Sequence, residues 1–160
     1  SCLTGASATT AADEPVVDDD GIESAWLYGN MNRYAYYFAD LLIGSPQQQR
    51  ASVIVDTGSH LAGFPCKGCD HCGEHLDPAF DLSRSESARR LLCGADCPMG
   101  CKEGGNCSYS ETYSEGSSIT GIWFEDAVQL GDAFSKNPPV RARLGCHTKE
   151  NKLFYTQRAN

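Results

Sequence analysis

The sequence lacks any apolar run close to the ~20 residues that a membrane-spanning helix needs, and its N-terminus lacks the apolar core of a signal peptide. Basic residues are few, with 13 Lys and Arg against 21 Asp and Glu, so the formal net charge is −8. This balance argues against nucleic acid or an anionic membrane as a partner. No Met precedes Ser1 and Cys2, so we expect the chain to be part of a longer one.

Cysteine, by contrast, is abundant, with nine in 160 residues. This content is typical of an oxidising compartment, and we expect either the secretory pathway (endoplasmic reticulum or Golgi) or the extracellular space. An even number lies between positions 66 and 146, where we expect disulfides with the pairing left open: Cys66, Cys69, Cys72, Cys93, Cys97, Cys101, Cys107 and Cys146. Cys2 is the odd one, either free or paired outside the chain.

The pattern along the chain predicts a mostly β protein in one folded unit, residues 31–160. Residues 1–30 are low in aromatics and rich in Ala, Thr, Asp and Glu, which predicts a disordered or prosegment-like leader, with an ordinary solvated tail as the alternative. Apolar runs predict strands at 34–43, 51–56, 107–113, 117–130 and 140–146. Ser83 and Glu86 have the spacing of a capping box, which predicts one short helix or turn.

The stretch from Val53 to Ser59 carries the clearest chemistry. An apolar β-branched run leads into Asp56-Thr57-Gly58-Ser59, so a buried strand would fix the position of the Asp56 carboxylate. Gly58 would let backbone approach closely, and the hydroxyls of Thr57 and Ser59 would hydrogen-bond around the carboxylate. A plain β-turn in which Asp56 accepts local backbone bonds is the alternative.

Three ordered segments together resemble one family. They are residues 36–48 with the motif Ile-Gly-Ser-Pro-Gln-Gln, residues 53–59 with Asp-Thr-Gly-Ser, and residues 113–121 with Tyr-Ser-Glu-Gly-Ser. In this order they resemble the N-terminal lobe of pepsin-like aspartic proteases. The resemblance implies a bilobal acid-protease fold, of which this chain is the N-terminal lobe with a disulfide-rich insertion. It also implies a C-terminal lobe of the same protein as partner and a polypeptide as substrate.

The chemistry implied by this family needs two aspartates, and this sequence contains one Asp-Thr-Gly. Asp56 and an aspartate from the other lobe would share a proton and activate a water between them, with no cofactor and no metal. Thr57, Gly58 and Ser59 would support Asp56, while Tyr113 and Gly116 would form a flap over the substrate. Gly63 stands where the family places the tryptophan that bonds the flap tyrosine.

The cysteine spacing gives a narrower resemblance. Residues 66–75 read Cys-x2-Cys-x2-Cys-Gly-x-His, which is similar to the insertion of nepenthesin-type plant enzymes and of plasmepsin V-like proteases of apicomplexan parasites. In these relatives Cys146 would close back to Cys66. The resemblance implies a preference for Arg-x-Leu export motifs. Glu115 and Asp77 would then bind the substrate arginine, because a guanidinium group pairs well with carboxylates. The alternatives are a solvated hairpin tip for Glu115 and a turn residue for Asp77.

Three further hypotheses stay open. The cysteines with His71 and His75 also have the spacing of zinc ligands, which would make a metal-binding interaction module. The chain could instead belong to a non-catalytic protease homologue that acts as a binding protein, or to a retroviral-type homodimer. The resemblance also leaves room for a membrane anchor in a C-terminal part.

Overall fold

The computed structural model describes residues 25–30, 32, 35–94, 97–98, 101, 105–131 and 138–159. Eight strands follow one another along the chain: β1 (Tyr28–Gly29), β2 (Tyr37–Ile43), β3 (Gln49–Ile54), β4 (Gly63–Asp70), β5 (Arg89–Arg90), β6 (Ser108–Thr112), β7 (Ser118–Leu130) and β8 (Val140–Glu150). Two short 3-10 helices cover Leu82–Arg84 and Lys152–Tyr155. Within these residues no helix is long and apolar enough to cross a membrane. The mostly β prediction is confirmed.

Strand β7 organises the sheet. It pairs with β2, β5, β6 and β8, and the main strand order is β1-β2-β7-β8-β4 with β3 added on β2. Its 13 residues alternate between half-buried and buried along most of their length, as expected for a strand with one face on the core. All pairings are antiparallel except β4 with β8, which run parallel.

The core consists of two apolar clusters, and β7 contributes residues to both. In the first, Phe64, Phe80 and Phe124 pack ring against ring with centroids 5.4 to 6.1 Å apart. In the second, Tyr109 lies against Trp123 at 5.3 Å. Aromatic pairs at these distances add to the free energy gained from burial alone. The second cluster reaches the hairpin between β6 and β7, so core packing and the position of that hairpin are linked.

The strand predictions hold for β2, β3, β6, β7 and β8, with ends shifted by a few residues. Strands β1, β4 and β5 were not predicted. The N-cap of the first short helix, Leu82–Arg84, is Asp81. Its carboxylate accepts from the Ser83 backbone N–H at 3.0 Å, so Asp81 takes the capping position predicted for Ser83. Of the predicted leader, residues 1–24 lie outside the described residues, and β1 falls in its remainder.

Four disulfides join the eight cysteines between positions 66 and 146: Cys66–Cys146, Cys69–Cys72, Cys93–Cys101 and Cys97–Cys107. The disulfide prediction is confirmed, and the first pair, implied by the resemblance, joins β4 to β8. Oxidised sulfurs are not the thiolate ligands that zinc requires. In the part of the chain that the structure describes, no group of three or more His, Cys, Asp or Glu side chains is placed to hold a metal ion. Cys2 lies outside that part.

Candidate active site

Asp56 lies on a turn directly after β3. The strand pairing extends one residue past β3, because the Val55 N–H donates to the Tyr37 carbonyl at 2.9 Å, and the chain then turns away from the sheet. The Gly58 N–H donates to Asp56 Oδ1 at 2.8 Å, and the side chain of Asp56 is exposed. A Cβ on Gly58 would lie 3.3 Å from the same oxygen, so glycine lets the backbone sit against the carboxylate. The turn therefore presents a fixed carboxylate at the surface of the sheet.

The two hydroxyls around this turn lie in different surroundings. Thr57 is exposed, whereas Ser59 is half-buried. Ser59 Oγ donates to the Leu61 carbonyl at 3.3 Å and accepts from the Leu61 N–H at 3.4 Å. Ser59 thus binds the exit of the Asp56 loop, defined here as residues 56–62, and the Ser59 N–H lies 3.4 Å from the Asp56 carbonyl.

A cavity of about 610 Å³ opens over Asp56, a volume suited to a peptide side chain or small ligand. Its walls come from several parts of the chain. Strand β3, the Asp56 loop, the β6–β7 hairpin, strand β8 and the second 3-10 helix supply, among others, Ile54, Asp56, Ser59, Leu61, Tyr113, Glu115, Ile119, His147, Leu153, Phe154 and Gln157. Apolar side chains make up about half of this described lining, and Asp56 and Glu115 are its two carboxylates.

The hairpin between β6 and β7 forms the flap, defined here as residues 113–117. The Gly116 N–H donates to the Tyr113 carbonyl and the Tyr113 N–H to the Ser117 carbonyl, both at 2.8 Å. Gly116 has φ +87°, a conformation that favours glycine. The Tyr113 ring packs on Phe154 at 5.5 Å. Burial raises the pKa of Tyr113, the contact with Ser59 partly offsets this, and the nearby Asp56 and Glu115 raise it further.

Four residues predicted for the active site are absent from the described lining of the cavity: Thr57, Gly58 and Gly116, which adjoin residues in it, and Asp77, which lies elsewhere. The buried carboxylate of Asp77 accepts from Arg50 Nε and from the Ser52 N–H, both at 2.7 Å. The bond to Asp77 is the main cause that raises the pKa of Arg50. Asp77 therefore joins the loop after β4 to the outer side of β3, and it is absent from the described lining of the cavity.

Several cavity residues were not predicted. His147 comes from β8, and Leu153, Phe154 and Gln157 come from the helix and turn that follow. Their positions depend on the parallel pairing of β4 with β8, which brings residues about 80 positions apart together. One sequence signal could have pointed to His147: the glycine at position 63, which leaves room for a side chain from a neighbouring strand.

An Asp-Thr-Gly turn beneath a β-hairpin flap, on a curled and disulfide-linked sheet, defines the N-terminal lobe of a pepsin-like aspartic protease. Residues 37–159 match the family model described as xylanase inhibitor N-terminal, and the chain belongs to this family of aspartic-protease N-terminal lobes. The narrower resemblance to plasmepsin V-like proteases is confirmed by the curated relatives.

The chain is 51% identical over 152 residues to Aspartic protease 5 of Toxoplasma gondii, covering 84% of this chain and 16% of that protein. It is 45% identical over 136 residues to Plasmepsin V of Plasmodium falciparum (isolate 3D7), covering 83% and 23%. It is 30% identical over 123 residues to Protein ASPARTIC PROTEASE IN GUARD CELL 2 of Arabidopsis thaliana, covering 74% and 25%. The chain thus spans no more than a quarter of the length of these relatives.

Proposed function

We propose that this chain supplies one of the two catalytic carboxylates of an aspartic endopeptidase, with Asp56 as that residue. The observation that carries the proposal is the Asp56 turn, exposed at the base of a cavity that the Tyr113 hairpin covers. Two of the similar proteins, which are named as an aspartic protease and a plasmepsin, support the same reaction class.

In the proposed reaction, a C-terminal lobe of the same protein places a second aspartate beside Asp56. Two carboxylates about 3 Å apart cannot both ionise, so one keeps a proton and the other does not. The ionised carboxylate removes a proton from a water held between them, and the protonated one polarises the carbonyl of the scissile peptide bond. The water oxygen bonds to that carbonyl carbon, the carboxyl that took the water proton passes it to the amide nitrogen, and the C–N bond breaks to release an amine and a carboxylic acid, with no covalent enzyme intermediate.

The residues around Asp56 have supporting roles in this proposal. Gly58 fixes one carboxylate oxygen through its N–H, Ser59 holds the loop exit, and Thr57 lies beside the reacting water. Closure of the flap by Tyr113 and Gly116 excludes bulk water, which strengthens the electrostatic interactions inside. The oxidised cysteines support a place in the secretory pathway.

Replacement of Asp56 by Ala in the full-length protein tests the proposal. We expect turnover to fall by roughly 100- to 10,000-fold or more, because a general acid–base group is removed. Asp56 is exposed on a turn, so secretion and folding should persist. Asp70→Ala, another exposed aspartate outside the described cavity lining, is the matched control and should keep wild-type activity. Equal turnover of wild type and Asp56→Ala would remove Asp56 from the mechanism.

We further propose that the flap residue Glu115 pairs with an arginine of the substrate, as in processing of an Arg-x-Leu motif. Asp77 is occupied by Arg50, so this specificity now rests on Glu115 alone. A charge-assisted contact is worth roughly 1.5 to 3 kcal/mol. Glu115→Gln should therefore lower kcat/KM for Arg peptides by about 10- to 150-fold and hardly change it for peptides with an uncharged residue there. A double-mutant cycle over enzyme and peptide measures the coupling. Equal losses on both peptides would make Glu115 a residue that only shapes the flap.

A second candidate is a protease homologue that binds peptides without cutting them. The family that matches residues 37–159 takes its name from a xylanase inhibitor, which is the observation in favour of this candidate. A full-length protein that binds peptides but has no second Asp-Thr/Ser-Gly motif would support this candidate.

A further inference from the structure

A buried cluster of three ionisable side chains lies next to the cavity, and the proposed reaction does not use it. His147 Nδ1 donates to Glu150 Oε1 at 2.7 Å, and His75 Nε2 donates to Glu150 Oε2 at 2.9 Å. All three side chains are 4% exposed or less. His75 follows the cysteine-rich end of β4, whereas His147 and Glu150 lie on β8. The cluster therefore joins the insertion to the strand under the cavity.

The arrangement also carries a cost, because some of its buried polar atoms are unpaired within the part of the chain that the structure describes. His147 Nε2 and His75 Nδ1 are buried and have no hydrogen-bond partner among the described residues. The buried hydroxyl of the neighbouring Tyr109 has no partner among them either. Each unpaired buried polar atom costs about 1 to 3 kcal/mol. Apolar side chains of the same size would avoid that cost. We therefore expect the cluster to have a use besides stability.

The His147 ring packs against the backbone at the end of the Asp56 loop. A Cβ on Gly63 would lie 2.6 Å from His147 Nε2 and 3.2 Å from Cδ2, so the ring edge rests against the Gly63 backbone. Gly63 is the first residue after the loop and pairs with Gly145 of β8. The Gly145 N–H also donates to the Ala62 carbonyl at 2.8 Å. Hydrogen bonds hold the start of the loop to β2 and its end to β8. The His147 ring packs at the second of these positions, against Gly63.

We propose that His147 is a positioning residue for Asp56, with Glu150 and His75 fixing its ring so that Gly63 and the loop exit have one position. The inference rests on the proposed function, because it assigns His147 a role in placing the proposed catalytic carboxylate. His147 acts through the backbone of residues 61–63 and does not react with the substrate.

The test uses three variants of the full-length protein, with active sites counted by titration with a tight-binding inhibitor. His147→Phe removes the polar contacts, and Gly63→Ala displaces the ring edge without removing any of its polar atoms. Each should lower kcat per active site by about 10- to 100-fold, since a 1 Å misplacement can cost about 100-fold. KM should change little. Gly94→Ala is the matched control, because a Cβ there meets nothing within 4 Å.

Hydrogen exchange at Gly58 and Ser59 gives a readout that does not depend on activity. Exchange should become faster in His147→Phe and Gly63→Ala and stay unchanged in Gly94→Ala. If only the melting temperature falls, while kcat per active site and loop exchange match wild type, His147 is a structural residue and the inference is wrong. If Asp56→Ala stays active, the proposed function fails, whereas the exchange result still decides whether His147 holds the loop.

Discussion

Glu150 is a buried carboxylate whose pKa is lowered in the folded state. Burial alone would raise its pKa from the ordinary 4.5, but the hydrogen bonds and charges of His147 and His75 outweigh burial and hold the pKa at about 2. A carboxylate with a lowered folded-state pKa stabilises the protein above its unfolded pKa, and that contribution is lost as the pH falls through the folded value. The relevant window is therefore about pH 4.5 down to about pH 2.

We expect Glu150→Gln to flatten the acid dependence of stability in this window. A shift of about 2.5 pKa units corresponds to on the order of 3 kcal/mol of unfolding free energy at neutral pH. Urea unfolding of wild type and variant from pH 7 to 2.5 measures this directly. Glu74→Gln, at an exposed position nearby, should keep the wild-type slope. Parallel curves for wild type and Glu150→Gln would show that the carboxylate is not the group that titrates.

At the same scale, short motifs predicted part of the site. Asp56, Tyr113 and Glu115 could be predicted because each belongs to a motif of a few residues, and all three line one cavity. Asp77 also follows from a short motif, but its carboxylate is hydrogen-bonded to Arg50. Arg50 lies 27 positions earlier, on β3. Partners of this kind are set by strand pairing, which one sequence does not reveal. His147 was missed for the same reason.

At the scale of elements, the flap is tied to the segment that follows β8. Asn151 Oδ1 accepts from the Ser118 N–H at 2.6 Å, and Asn151 Nδ2 donates to Ser118 Oγ at 2.8 Å. The Leu153 N–H donates to Ser117 Oγ at 3.2 Å. The same segment supplies Leu153 and Phe154 to the cavity wall. Hydrogen bonds therefore join the cavity wall to the base of the flap.

We expect Asn151→Ala to loosen the flap without unfolding the lobe. Two side-chain hydrogen bonds are lost, worth about 1 to 3 kcal/mol together, so amides of residues 113–118 should exchange about 5- to 100-fold faster. Hydrogen exchange with mass spectrometry on the full-length protein measures this. Thr148→Ala, which loses one exposed bond to the Thr120 carbonyl, is the control and should leave the flap unchanged. Unaltered exchange in Asn151→Ala would mean that the β-hairpin alone holds the flap.

The sequence predicted long antiparallel strands better than short or parallel ones. Strand β7 was predicted because its apolar residues alternate over many positions. Strand β4 was not, because Gly63 and Pro65 are poor strand residues and the cysteines suggested a loop. Its formation depends on parallel pairing with β8 and on the Cys66–Cys146 disulfide, both contacts over long sequence separation.

At the scale of the whole molecule, the proposed reaction needs more than this lobe supplies. Asp56 is the one carboxylate on a rigid turn there, while Glu115, the other acid in the described lining, is on the flap tip. One carboxylate cannot be both the acid and the base for the same water. The surface near Asp56 also keeps apolar side chains exposed, among them Val55 and Tyr37. These features are consistent with a second lobe beside this one.

We therefore expect the isolated 160-residue chain to have no peptidase activity. The measurement is cleavage of an Arg-x-Leu peptide across pH 4 to 7, with and without a pepstatin-type inhibitor, and with Asp56→Ala as control. Inhibitor-sensitive turnover that Asp56→Ala abolishes would show the expectation wrong. Its dependence on concentration would then give the reason: a rate per chain that rises with chain concentration would mean that two copies each contribute an Asp56, as in a homodimer. A rate per chain independent of concentration would require a second acid within the lobe, and Glu115→Gln would test whether the flap supplies it.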